Sequence, residues 1–139
     1  MGIDKIIRSC LIASLLMLPA RGNEKTEPLQ IDRAEQLLAA NVQLIDVRTK
    51  EEWDESHLKG AKLVTVTEDD FLAKAVLDPE KEVLVYCRSG KRSAIAAEKL
   101  RAAGYAVHEI SGGITAWVEA GKPVEKGTPH DTGKQADKP

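Results

Sequence analysis

Within seven residues, the segment Cys87-Arg-Ser-Gly-Lys-Arg-Ser93 gathers a thiol, three cations, two hydroxyls and a glycine. The apolar, β-branched run Val83–Tyr86 before it reads as a buried strand, and Ser93–Ala103 after it reads as a helix. A thiol between the carboxyl end of a strand and the first turn of a helix faces unpaired backbone N–H groups and the positive end of the helix dipole. Both favour the thiolate, which is the nucleophilic form. Gly90 can adopt a positive φ, turning successive N–H groups inward as an anion-binding nest. Arg88, Lys91 and Arg92 oppose the dipole at a helix start, so three of them in one loop point to an anionic ligand. The chemistry predicted is attack by the Cys87 thiolate on a small anion.

Other side chains could take part. Asp46 and Arg48 fall at the end of another strand, facing the same crevice. They are expected to brace the loop by hydrogen bonds, with a contact between Arg48 and substrate as the alternative. His57 with Glu52 nearby has the composition of a general-base pair. Trp53 and Trp117 read as core packing, His108 as a structural or exposed strand residue, and His130 as solvated. No metal-ligand spacing is present, and neither a metal nor a cofactor is expected.

The elements that must position these groups alternate between strand and helix. Leu29–Ile31 reads as a short strand, and Asp32 with Glu35 as a capping box for a helix over Arg33–Ala39. Val42–Val47 reads as an interior strand, followed by a second capping box, Thr49 with Glu52, opening a helix over Lys50–Ser56. A strand over Leu63–Val66 precedes a helix over Glu68–Leu77 with Phe71, Leu72, Ala75 and Val76 on one face. After Val83–Tyr86, the helix from Ser93 is predicted to bury Ile95, Ala96 and Leu100. Tyr105–Ile110 is then the last strand, Gly112-Gly113 a tight turn, and Ile114–Ala120 the last helix. Strands separated by single helices predict a small α/β domain, a doubly wound parallel sheet with helices on both faces. Ligands of such sheets sit beyond the carboxyl ends of the strands, where Cys87 falls.

The chain has 139 residues, 30% of them charged, with a formal net charge of -2, the profile of one ordinary globular domain and not of a nucleic-acid binder. Lys5 and Arg8, the apolar run Cys10–Leu18 and the small residues Ala20 and Gly22 follow the pattern of a secretory signal peptide. The organisation expected is a signal peptide over 1–22, a short leader over 23–28, the domain over 29–123 and a disordered tail over 124–139. Export would make the protein periplasmic, with no membrane association after cleavage at Ala20 or Gly22. It would also remove Cys10, leaving Cys87 as a lone thiol with no partner for an internal disulfide. A monomer is expected.

Four segments together resemble the rhodanese-like sulfurtransferase family. The Cys87–Ser93 loop is similar to its active-site loop, and Leu44-Ile-Asp-Val-Arg48 to its Asp-Val-Arg strand end. His57-Leu-Lys-Gly-Ala61 is similar to its His-Ile-Pro-Gly-Ala turn, and Gly112-Gly-Ile-Thr-Ala-Trp117 to its Gly-Gly-x-x-x-Trp segment. The resemblance spans Leu29 to Pro123; with the signal peptide it extends to the exported single-domain thiosulfate sulfurtransferases of the phage-shock group. Ser56 replaces a common glycine and Lys59 a common proline, which bears on turn geometry and not on chemistry.

The resemblance implies that Cys87 takes the outer sulfur of thiosulfate as a persulfide and passes it to cyanide or a thiol. The loop N–H groups would hold the persulfide, with Ser89 and Gly90 counted in the substrate-binding loop. Arg88, Lys91 and Arg92 would bind the sulfonate end or stabilise departing sulfite. Ser93 would donate to the sulfur or cap its helix, and His57 would fix its turn. The related phosphatases have a loop one residue longer that ends in arginine; here that position is Ser93, and Tyr86 stands where they carry histidine. The alternative function is a persulfide carrier that serves a protein partner without multiple turnover.

Overall fold

The computed structural model describes residues 26–127, so the expected signal peptide, most of the expected tail and His130 lie outside the described residues. Nine elements follow one another: α1 (Ile31–Ala39), β1 (Gln43–Asp46), α2 (Lys50–Glu55), β2 (Lys62–Leu63), α3 (Phe71–Ala75), β3 (Val83–Tyr86), α4 (Lys91–Ala102), β4 (Val107–Glu109) and α5 (Gly113–Glu119). The strands form one parallel sheet in the order β2-β1-β3-β4. The predicted α/β class is therefore correct, and β3 is an interior strand.

All four residues of β3 are buried, and their alternation divides the core. Val83, Val85 and Cys87 join Phe71, Ala75, Ala96, Ala97 and Leu100 on the face covered by α3 and α4. Leu84 and Tyr86 join Ala34, Ile114 and Trp117 on the face covered by α1 and α5. Each fully buried aliphatic side chain here contributes roughly 1.5–3 kcal/mol. A strand pinned from both sides in this way delivers Cys87 to one fixed point at its carboxyl end.

Several boundaries differ from expectation, each for a local reason. Leu29 makes only an isolated bridge to Ile110, and α1 begins at Ile31 in place of a strand. Its N-cap is Gln30 with no side-chain cap, so the Asp32–Glu35 capping box does not form, and Asp32 lies inside the first turn. The helix expected over Glu68–Leu77 shrinks to α3, because Val76 turns left-handed at φ 41 and ends it. Phe71 and Ala75 stay buried, whereas Leu72 and Val76 are 47% and 77% exposed. α4 starts two residues earlier than Ser93, and its buried stripe is Ser93, Ala96, Ala97 and Leu100, the i, i+3, i+4, i+7 pattern. Ile95 falls off that stripe and is 51% exposed. The Thr49–Glu52 capping box forms as predicted and opens α2.

The packed region also extends past both expected edges. Thr26 Oγ1 donates to the Val107 carbonyl at 3.2 Å. Beyond Pro123, Val124 packs on the core, and His57 and Glu125 exchange two backbone hydrogen bonds of 2.8 Å. The Gly127 N–H donates to the Asp54 carbonyl at 2.9 Å. Residues 124–127 thus belong to the fold and not to the tail. Truncation after Pro123 should lower the unfolding free energy by about 1–3 kcal/mol relative to truncation after Gly127. Urea midpoints measure it; coincident midpoints would show that the clasp contributes nothing.

Candidate active site

Cys87 follows β3 directly, is only 1% exposed, and carries its sulfur beneath the loop that leads into α4. The Gly90 N–H donates to the sulfur at 3.0 Å. Gly90 takes φ +114, a backbone state that glycine adopts without strain and that aims this N–H inward. Ser93 Oγ lies 3.5 Å from the sulfur and donates to the Gly90 carbonyl at 3.0 Å. Its hydroxyl can rotate, and a thiolate is a stronger acceptor than the carbonyl. Ser93 is therefore a sulfur neighbour in the third helical position and not the helix cap, which is Gly90. Burial pushes the Cys87 thiol pKa up. The Ser93 hydroxyl and the N–H groups of Ser93, Gly90 and Ser89 outweigh burial, so the net shift is downward.

The loop keeps this shape because its carbonyls are held from the other side. At the start of α5, Ile114 N–H donates to the Cys87 carbonyl at 2.9 Å and Thr115 N–H to the Arg88 carbonyl at 3.2 Å. With the carbonyls drawn outward, the loop N–H groups are left to face the sulfur. Gly113, at φ +61, permits the approach. A Cβ there would overlap the Cys87 carbonyl oxygen and come within 2.6 Å of the Arg88 carbonyl carbon and oxygen. From the sequence, Gly112-Gly113 reads only as a turn; two glycines opening a helix were the available signal of a backbone-to-backbone contact.

The three loop cations are not equivalent. Arg88 and Lys91 are exposed and have no ion-pair partner among the described residues. Arg92 is gripped by both oxygens of Glu52, Nη1 to Oε2 at 2.6 Å and Nη2 to Oε1 at 2.7 Å. Glu52 Oε2 also accepts from Thr49 N–H and Thr49 Oγ1 at 3.1 and 3.2 Å. The Arg92 hydrogen bonds, opposed by partial burial and helped by Thr49, bring the Glu52 carboxyl down to about 2. Of the three cations expected at the anion, Arg92 is thus paired with a carboxylate, because the capping box places Glu52 against it. Nor does Glu52 serve His57. That ring stacks on Trp53 at 3.7 Å, and its Nδ1 lies 3.0 Å from the Trp53 carbonyl, a turn-fixing arrangement.

Asp46 and Arg48 form a buried pair with Nη2 to Oδ2 at 2.6 Å and Nε to Oδ1 at 2.9 Å. Arg48 also donates to the Ser56 carbonyl at 2.6 Å and lies 5.6 Å over the Tyr86 ring. The Tyr86 hydroxyl accepts from Leu58 N–H at 3.0 Å. These bonds tie the ends of β1, α2 and β3 together, and none reaches the Cys87 loop. The hydrogen bonds of the expected brace act on α2, which carries Glu52 to the loop, and Asp46 also acts electrostatically on Arg92. Between α2 and α5 an open cleft of about 290 Å³ runs beside the loop, with Arg48, Glu55 and Ser56 on one side, Arg88 at the loop, and Ile114 and Val118 opposite.

Two measurements probe this geometry. Alkylation of Cys87 by iodoacetamide should rise with pH through a midpoint below the ordinary thiol value of about 8.5. Ser93→Ala should move that midpoint upward, since a depressed pKa is lost when a thiolate donor is removed; an unmoved profile would show that the hydroxyl does not reach the sulfur. Gly113→Ala should destabilise by about 2–4 kcal/mol, combining left-handed strain with backbone overlap. Gly90→Ala, with nothing within 4 Å of its Cβ, should cost only the strain, about 1–2 kcal/mol. Equal losses in chemical denaturation would contradict the α5 contact.

Comparison with known proteins follows the same geometry. A family model described as Rhodanese-like domain matches residues 30–120. Thiosulfate sulfurtransferase 18 of Arabidopsis thaliana is 34% identical over 115 residues, covering 73% of this chain and 85% of that protein. The thiosulfate sulfurtransferase PspE of Escherichia coli is 38% identical over 71 residues, covering 50% of this chain and 68% of its own length. Among solved structures, a rhodanese-related protein from Thermoplasma volcanium superposes with a TM-score of 0.65 at 25% identity, covering 72% of this chain and 98% of that one. The family match spans every strand and helix described above, from the cap of α1 to the end of α5, and the chain belongs to the rhodanese-like sulfurtransferase family.

Proposed function

We propose that this protein is a thiosulfate sulfurtransferase working through a persulfide on Cys87. The observation that carries the reading is a buried sulfur hydrogen-bonded by the Gly90 N–H, in a loop whose Arg88 and Lys91 are exposed and have no ion-pair partner among the described residues. The Cys87 thiolate attacks the outer sulfur of thiosulfate. A new S–S bond forms, the old one breaks, and the electron pair leaves with sulfite. The two free cations bind the sulfonate end and stabilise sulfite as it departs. The N–H groups of Ser89, Gly90 and Ser93 and the Ser93 hydroxyl hold the persulfide anion. Cyanide or a thiolate then attacks the outer sulfur, which leaves as thiocyanate or a new persulfide, and the Cys87 thiolate is regenerated. No oxidant or reductant is consumed, and the cycle is covalent and ping-pong.

The near-complete burial of Cys87 supports a one-atom cargo, because a sulfur so enclosed leaves little room for a larger group. Export through the N-terminal signal pattern, as proposed from the sequence, would place a protein with one cysteine in the periplasm, where no internal disulfide could consume the nucleophile. Purified protein given thiosulfate and cyanide should form thiocyanate, and Cys87→Ala should lose at least about a thousandfold in rate, as removal of covalent nucleophiles generally does. Absence of thiocyanate, or equal rates in the variant, would refute the reading. A stable one-sulfur adduct without multiple turnover would replace it with a persulfide carrier.

A further inference from the structure

We propose that Glu52 determines the charge of the sulfur donor this site accepts, disfavouring dianions relative to monoanions by withdrawing Arg92. The proposal rests on the sulfur-transfer reading and assigns a specificity role outside the loop. Arg92 directly precedes Ser93, whose hydroxyl lies 3.5 Å from the Cys87 sulfur, and its guanidinium interacts electrostatically with that sulfur. Both of its terminal nitrogens are occupied by Glu52. Glu52 in turn is fixed by Thr49 N–H and Oγ1 in the first turn of α2, so the pair is held by the capping box and not by two loose surface chains.

The electrostatic consequence depends on donor charge. Glu52 reduces the loop's formal charge from three free cations to two free cations and an ion pair. Attraction to the rim scales with the charge on the ligand, so a dianion loses about twice what a monoanion loses. Thiosulfate and benzenethiosulfonate make the comparison directly. Each offers one outer sulfur to the Cys87 thiolate, with the S–S bond breaking and the electron pair leaving on sulfite or on benzenesulfinate, and they differ by one unit of charge. The site as built therefore accepts monoanionic sulfane donors, organic thiosulfonates and persulfides, on better terms than its three cations suggest.

Glu52→Gln is a clean probe, because glutamine still satisfies a capping box while carrying no charge. In the variant, kcat/KM for thiosulfate should rise relative to kcat/KM for benzenethiosulfonate by about 3- to 10-fold at low salt, the scale of one released charge at the rim. The shift should shrink toward unity as ionic strength rises. Arg92→Gln, which leaves the Glu52 charge uncompensated, should move the same ratio in the opposite direction, and it stands as a test by itself if the first variant folds poorly. A purely structural role would lower both donors together and leave the ratio unmoved. An unchanged ratio in either folded variant, with wild type active on both donors, overturns the proposal. Wild type that transfers sulfur from neither donor removes the underlying reading instead.

Discussion

The Cys87 loop presents its N–H groups to the sulfur because its carbonyls are bound elsewhere. A short loop of uniform backbone has as many acceptors as donors, and a thiolate enclosed by both would gain little. Here Ile114 and Thr115 at the start of α5 take the Cys87 and Arg88 carbonyls, which leaves the donor side of the loop facing inward. The same contact satisfies two backbone N–H groups at a helix start that would otherwise lack partners. It also dictates glycine at position 113, where any side chain would overlap the loop backbone. The environment of the Cys87 sulfur is thus built from two helix starts that meet over one strand end: α4 supplies donors to the sulfur, and α5 holds the loop that joins them.

Charge is arranged on top of this frame with the same economy of parts. Thr49 and Glu52 first act locally, closing the first turn of α2. The carboxylate that completes that cap then reaches Arg92 on the other side of the crevice. With its pKa near 2, Glu52 is ionised at any pH where a thiolate is present, so the pairing does not change over the working range. Its contribution to stability is full above the ordinary carboxylate range and is lost only as pH falls toward 2. Farther in, the buried Asp46–Arg48 pair holds α2 at its angle through the Ser56 carbonyl. Loss of one partner from such a pair costs about 3–5 kcal/mol because it strands a buried charge. A residue remote from the sulfur thereby positions the carboxylate that moderates its rim.

Much of this was legible in the sequence. The strand Val83–Tyr86, the reactive placement of Cys87, the Thr49–Glu52 cap and the parallel α/β class all follow from local pattern, since periodicity and capping depend on neighbours three or four residues away. Local pattern failed where a long-range contact competes with it. Asp32 with Glu35 has the letters of a capping box, yet Leu29 is drawn onto β4 through Glu109 and Ile110, and the helix starts earlier, at Ile31. Glu68–Leu77 has a helical stripe, yet only Phe71 and Ala75 find the core before Val76 turns out. Val124 and Glu125 look like tail until they meet the core and His57.

For the site itself the division is sharp. The sequence by itself pointed to Cys87 as the candidate nucleophile and to the groups that could stabilise its thiolate, because a thiol, a glycine and a helix start are contiguous along the chain. Only the tertiary structure decided which cations are free and what holds the loop open to the sulfur. Glu52 lies 40 positions before Arg92, and Gly113 lies 26 positions after Cys87. Such pairings are set by the packing of α2 and α5 against the ends of β1 and β3. Their energy comes from distances between separate elements, and no spacing along the chain encodes those distances.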